Sequence, residues 1–177
     1  TGQRLFRMKR LSYRITTAST TAVASWRHAT AQLTIGGGQS WEGGFWGVMH
    51  GGPDTGATNA SHRFFMGLHD TSAPTDVNPS TLLRMAGIGY DAADTQVQFM
   101  HNDGTGTATK IALGASFPKP NADSNFGYRL RLYSPPGTTQ RLSYEVLNLG
   151  NGAVASGTIT PDIPAVGDFI TPKLYSS

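Results

Sequence analysis

From residue 126 to residue 146, apolar and polar positions alternate with a period of two. Phe126, Tyr128, Leu130 and Leu132 are interleaved with Gly127, Arg129 and Arg131, and Ser-Pro-Pro-Gly at 134–137 breaks the run. Leu142, Tyr144 and Val146 then alternate with Ser143 and Glu145. Successive side chains of a strand point to opposite faces, so each run predicts a half-buried strand and the break between them predicts a hairpin. A Gly-Asn-Gly turn at 150–152 leads into residues 153–160, the predicted third strand of an antiparallel meander that Pro161 and Pro164 end.

Upstream, residues 95–100 carry Val97 and Phe99 on one face, and residues 110–113 carry Ile111 and Leu113. The Asn-Asp-Gly-Thr-Gly stretch between them predicts a second hairpin. Residues 45–49 and 62–68 are short apolar runs bounded by glycine or polar loops, the pattern of strands buried on both faces. Near the start, Leu11, Tyr13 and Ile15 alternate with Ser12 and Arg14, and residues 23–35 form a Thr-rich, β-branched stretch, so both predict strand. Helical signal is confined to residues 79–85, where Asn78 is placed to cap and Pro79 to occupy the first position of a short turn. No fixed-period repeat is present, which excludes solenoids and propellers. Residues 53–61 and 71–79 read as ordered surface loops between strands. The prediction is an all-β, antiparallel β-sandwich with little helix, formed as one domain over residues 1–177, with 1–15 as a basic N-terminal strand.

Composition fits that prediction. Glycine at 22 and proline at 10 of 177 residues, with 14% charged, favour short strands joined by tight turns. A chain of this size buries about 70% of its unfolded surface, enough for a core without covalent staples. Covalent staples are absent, because there is no cysteine and hence no disulfide, thiolate zinc site or cysteine nucleophile. The pI of 9.4 reflects an excess of only +3, too weak a field to imply nucleic acid. No apolar run approaches the roughly 18 residues that span a bilayer as a helix, so no membrane insertion is expected. The chain opens at Thr1 without Met, which fits a processed polypeptide or a piece of a longer one.

The search for chemistry narrows the functional classes. Gly38-Gln39-Ser40-Trp41-Glu42 lacks the glycine spacing of a nucleophile elbow, and Gly36-Gly37-Gly38 lacks the Lys-Ser/Thr ending of a phosphate loop. Asp91 and Asp94 are the natural carboxylate pair for a glycoside hydrolase, yet their place between two strand-like runs suits turn formation better. Asn102-Asp103-Gly104 superficially suggests a calcium loop but lacks both the oxygen ligands at alternating positions and the closing acid, and suits a hairpin turn. His28, His50, His62, His69 and His101 show no metal-ligand spacing. Neither a catalytic residue, a metal nor a cofactor is therefore expected. Arg4, Arg7, Lys9 and Arg10, with Arg14, concentrate charge at the start, as a solvated strand guarded against edge pairing, an inter-subunit contact or an anion-binding segment would. Among the tryptophans, Trp46 is expected in the core, whereas Trp41 lies in a glycine-rich segment and is a candidate sugar-stacking residue. The ligand-binding candidates are Trp41, Asp91, Asp94, Asn102 and Asp103.

One further feature concerns family. His62-Arg63-Phe64-Phe65-Met66-Gly67-Leu68, with Ser72-Ala73-Pro74-Thr75 and Asn78-Pro79-Ser80-Thr81-Leu82, resembles a module of tail-fibre and other structural proteins of tailed bacteriophages. The resemblance continues through Gly87-Ile88-Gly89-Tyr90-Asp91, Leu113-Gly114-Ala115-Ser116-Phe117-Pro118 and Gly157-Thr158-Ile159-Thr160, covering roughly residues 40–175. It implies a jelly-roll or concanavalin-like, lectin-like sandwich in a virion protein, homotrimeric, contacting other virion proteins and exposed to a host-surface glycan or protein receptor. These are packing and turn motifs, so no catalytic residue carries over. A purely structural tail or capsid-decorating scaffold, a polysaccharide depolymerase and a cellular carbohydrate-binding module are the alternatives.

Overall fold

The computed structural model describes residues 22–53, 61–70, 76–120 and 127–177. Arg4, Arg7, Lys9 and Arg10, the expected strand at 11–15, most of the two expected loops at 53–61 and 71–79, and Phe126 lie outside the described residues. In chain order the strands are β1 (Ala24–Arg27), β2 (Phe45–Gly51), β3 (Phe64–His69), β4 (Met85–Tyr90), β5 (Gln98–Asn102), β6 (Thr109–Ala112), β7 (Tyr128–Ser134), β8 (Leu142–Asn148), β9 (Val154–Ile159) and β10 (Thr171–Ser176). Helix is limited, among the described residues, to a 3₁₀ turn at Pro79–Thr81, where Pro79 takes the first position as expected but the Asn78 side chain makes no capping bond.

The strands form two antiparallel sheets, one of six in the order β1-β10-β3-β4-β5-β6 and one of four in the order β2-β7-β8-β9. An all-β antiparallel sandwich is thus what the sequence builds. The meander β7-β8-β9 and the hairpin β5-β6 fall where the alternation placed them. Of the stretch 23–35, only Ala24–Arg27 is strand, and Leu33 makes an isolated bridge to Ile170.

Between the sheets, Phe64, Met66 and Leu68 of β3 and Ile88 and Tyr90 of β4 meet Leu130, Leu132, Tyr144 and Val146 of β7 and β8. The six-stranded sheet is covered on its other face too. There Phe65, Met85, Met100 and Tyr175 pack with Leu82 and Val77 from the segment around the 3₁₀ turn. β3 is accordingly buried along its whole length, as the unbroken apolar run predicted. Residues 45–49 differ from that prediction. Phe45 and Met49 pack on the core, while Trp46 and Val48 face solvent, because nothing described covers the outer face of the four-stranded sheet.

Candidate functional site

Strand register turns that outer face into a grid. Trp46, Tyr133, Ser143 and Thr158 stand side by side across β2, β7, β8 and β9. One step along the strands, Val48, Arg131, Glu145 and Ser156 form a second row, and His50, Arg129, Leu147 and Val154 form a third. Trp46 is 69% exposed and Tyr133 44%, so two aromatic faces lie in the open at one end of the first row. Neighbouring strands are about 4.8 Å apart and alternate residues about 6.8 Å, so the first two rows span roughly 14 by 7 Å. Trp46, Tyr133, Arg131, Glu145, Ser143 and Thr158 line a shallow depression of about 370 Å³ there. Aromatic faces beside hydroxyl, carboxylate and guanidinium groups offer stacking and directed hydrogen bonds together.

The polar centre of this face is an unequal trio. Arg131 Nη1 and Arg129 Nη2 both donate to Glu145 Oε1, at 2.9 and 3.2 Å. The Nε atoms of both arginines are buried without an acceptor. Two guanidiniums against one carboxylate leave one positive charge in excess. All three side chains are a quarter or more exposed, so these pairs are of the weak, exchangeable surface kind.

The residues singled out in the sequence lie elsewhere or do other work. Trp41 is 75% exposed in the loop leading into β2. That loop packs on the turn after β7, through the bonds from Gly37 N to Gly137 O and from Gly137 N to Glu42 O, so Trp41 lies toward the Trp46–Tyr133 end of the sheet. Trp46, expected in the core, is the correction. Period-two alternation puts it opposite Phe45 and Met49, on the uncovered side.

Asp91 and Asp94 come together at the β4–β5 connection around Lys110, whose Nζ lies 2.7 Å from an oxygen of each. Asp91 Oδ1 also accepts from the Ser80 amide, and Asp94 Oδ2 from the Asp91 amide. Burial acts to raise the Asp91 carboxyl, but the bonds from Lys110 and Ser80 outweigh it and hold it below the ordinary value. Asn102 Oδ1 accepts from the Gly104 amide and Asp103 Oδ1 from the Thr105 amide, so this turn closes on itself.

His62 bridges Tyr90 and Ser176, His69 meets Lys173 Nζ at 2.9 Å, and His101 bonds to the Asp162 carbonyl. Burial lowers His62 and His69 to about 4. His50 stands apart on the exposed grid. Among the described residues, no group of three His, Asp or Glu side chains converges as a metal site.

The class this architecture defines is the lectin-like β-sandwich. Peanut lectin, solved with the 9-mer peptide PVIWSSATG, superposes on 90% of this chain and 73% of its own, with TM-score 0.51 and 14% identity. Lectin II from Ulex europaeus covers 90% of this chain and 75% of its own, with TM-score 0.48 and 10% identity. The CBM2 module of the evolved Dit of Lactobacillus casei BL23 phage J-1 covers 81% and 57%, with TM-score 0.39 and 16% identity. At such identities the likeness is one of fold. The chain matches no protein-family model and no curated protein sequence.

Proposed function

We propose that this chain is a non-catalytic carbohydrate-binding module of a bacteriophage virion protein, and that the outer face of the four-stranded sheet holds a host-surface glycan. The row Trp46–Tyr133–Ser143–Thr158 carries this reading. Two exposed aromatic rings in register with two hydroxyls suit a sugar, whose C–H face stacks while its hydroxyls exchange hydrogen bonds. The lectin-like fold and the sequence resemblance to phage tail-fibre modules point the same way. In this reading the module sits on the virion exterior, in a tail or fibre, as a homotrimer beside other virion proteins.

A depolymerase would need two carboxylates roughly 5–10 Å apart across the ligand. Glu145 is the one acid on the outer rows of β2, β7, β8 and β9, and Asp91 and Asp94 are held by Lys110 and backbone amides. A purely structural scaffold is the second reading, favoured by the same exposed Trp46, Val48 and Tyr133 if they are buried between subunits.

Glycan-array binding by the intact protein, Trp46→Ala and Trp41→Ala separates these. Loss of an aromatic platform should weaken binding about tenfold or more for Trp46→Ala. Trp41 lies beyond the grid, so its substitution should cost less. No binding by the intact protein to any glycan would reject the proposal in favour of the scaffold. Mass in solution tests the trimer.

A further inference from the structure

We infer that the glycan this face takes is acidic, a saccharide bearing a carboxylate or phosphate group that Arg131, supported by Arg129, recognises beside the aromatic row. The inference rests on the proposed glycan-binding reading and adds a charge to the ligand. Arg131 precedes Tyr133 by two residues on β7, so its guanidinium is rooted about 7 Å from the stacking position, on the same face. A ring seated on Trp46 and Tyr133 thus has Arg131 within reach of an acidic substituent on one side, while the hydroxyls of Ser143 and Thr158 continue along the row.

Charge complementarity sets the sign. The three rows contain two arginines and one acid, and Glu145 receives one N–H from each guanidinium through a single oxygen. A guanidinium carries five donors in a planar fork matched to two-oxygen acceptors, so Glu145 orients both side chains without saturating either. Their Nε groups, which have no acceptor, show the same shortfall. An incoming anion offers a further acceptor to the exposed part of the guanidiniums, and the solvent-exposed pairs with Glu145 are weak enough to rearrange around it. A neutral sugar leaves the excess charge unanswered.

The test uses an array of matched pairs: galacturonate oligomers against their methyl esters, sialyl-lactose against lactose, and glucose 6-phosphate against glucose. At least one acidic member should bind about tenfold more tightly than its neutral partner, with the gap closing as salt rises. Which pair shows the gap tells carboxylate from phosphate. Arg131→Gln should bring that pair to within about threefold. Glu145→Gln, which removes the competing anion, should widen the gap. Equal binding of acidic and neutral partners by the intact protein, or a preference unchanged in both variants, overturns the acidic ligand and leaves the glycan-binding reading standing. No binding to any glycan removes both.

Discussion

The Tyr144 ring of β8 lies almost parallel to the Phe99 ring of β5, with centroids 3.9 Å apart and planes 12° apart. The stack joins the two sheets directly behind the exposed face, because Ser143 and Glu145, the neighbours of Tyr144, both line the depression. Gly157 completes the arrangement. A Cβ there would fall 2.7 Å from the Tyr144 hydroxyl and 2.8 Å from its ring, so the edge strand can pass the tyrosine only with hydrogen at that position.

Phe99→Ala should therefore destabilise the fold by about 3–5 kcal/mol, the usual cost of removing a buried aromatic ring. Gly157→Ala should cost less, about 1–3 kcal/mol, because it overpacks one ring instead of emptying a cavity. Urea unfolding followed by tryptophan fluorescence measures both. A Phe99→Ala loss below 1 kcal/mol would mean that the stack does not hold the sheets together.

How much of this could be read from the chain depended on what each strand faces. β7, β8 and β9 each have a packed face and a solvated one, and the resulting alternation is visible one residue at a time. β4 is buried on both faces, and its outer positions are Met85, Gly87 and Gly89, so no alternation of apolar with polar residues survives. Those glycines answer a close approach that only folding creates: a Cβ on Gly87 would lie 2.5 Å from the Met66 carbonyl oxygen.

β10 was hidden by Pro172 and by the fully buried Lys173. The proline is tolerated because its carbonyl accepts from His28, just past the end of β1. In an antiparallel ladder the N and O of one residue point to the same side, so the missing N–H costs no bond to β3. The exposed site was the least legible part. Phe45-Trp46-Gly47-Val48-Met49 looks apolar throughout, and only its pairing with the arginine-bearing face of β7, far away in sequence, shows which half meets water.

Acid should weaken the fold through two histidines. Burial holds His62 and His69 at about 4, against 6.5 for a free side chain. Between those values the unfolded chain binds more protons than the folded one, so stability is full above pH 6.5 and is lost as pH falls toward 4. At 1.36 kcal/mol per pH unit, each histidine accounts for roughly 3 kcal/mol across that window. The urea midpoint should fall clearly between pH 7 and pH 4.5, and His69→Gln should flatten the slope. An unchanged midpoint over that range would show that neither ring is kept neutral by the fold.

The Asp91–Lys110–Asp94 cluster should be a matter of stability and not of binding. Lys110 lies 2.7 Å from both carboxylates, and the two acids are only 9% and 15% exposed, so Lys110→Met leaves two negative charges close together with the Lys119 charge as partial compensation. The expected loss is about 2–4 kcal/mol, below the upper range for a fully buried pair because Lys110 itself is partly solvated. Adding Asp94→Asn to Lys110→Met should recover part of that loss, since one of the two stranded charges is then gone, and a double-mutant cycle reads this coupling directly. Glycan affinity should be the same in all of these variants at a temperature where they are folded, because the cluster belongs to the six-stranded sheet and the grid to the other. A folded Lys110→Met protein that no longer binds glycan would instead move the recognition site to the β4–β5 corner, where the sequence alone had placed Asp91 and Asp94 among the ligand-binding candidates.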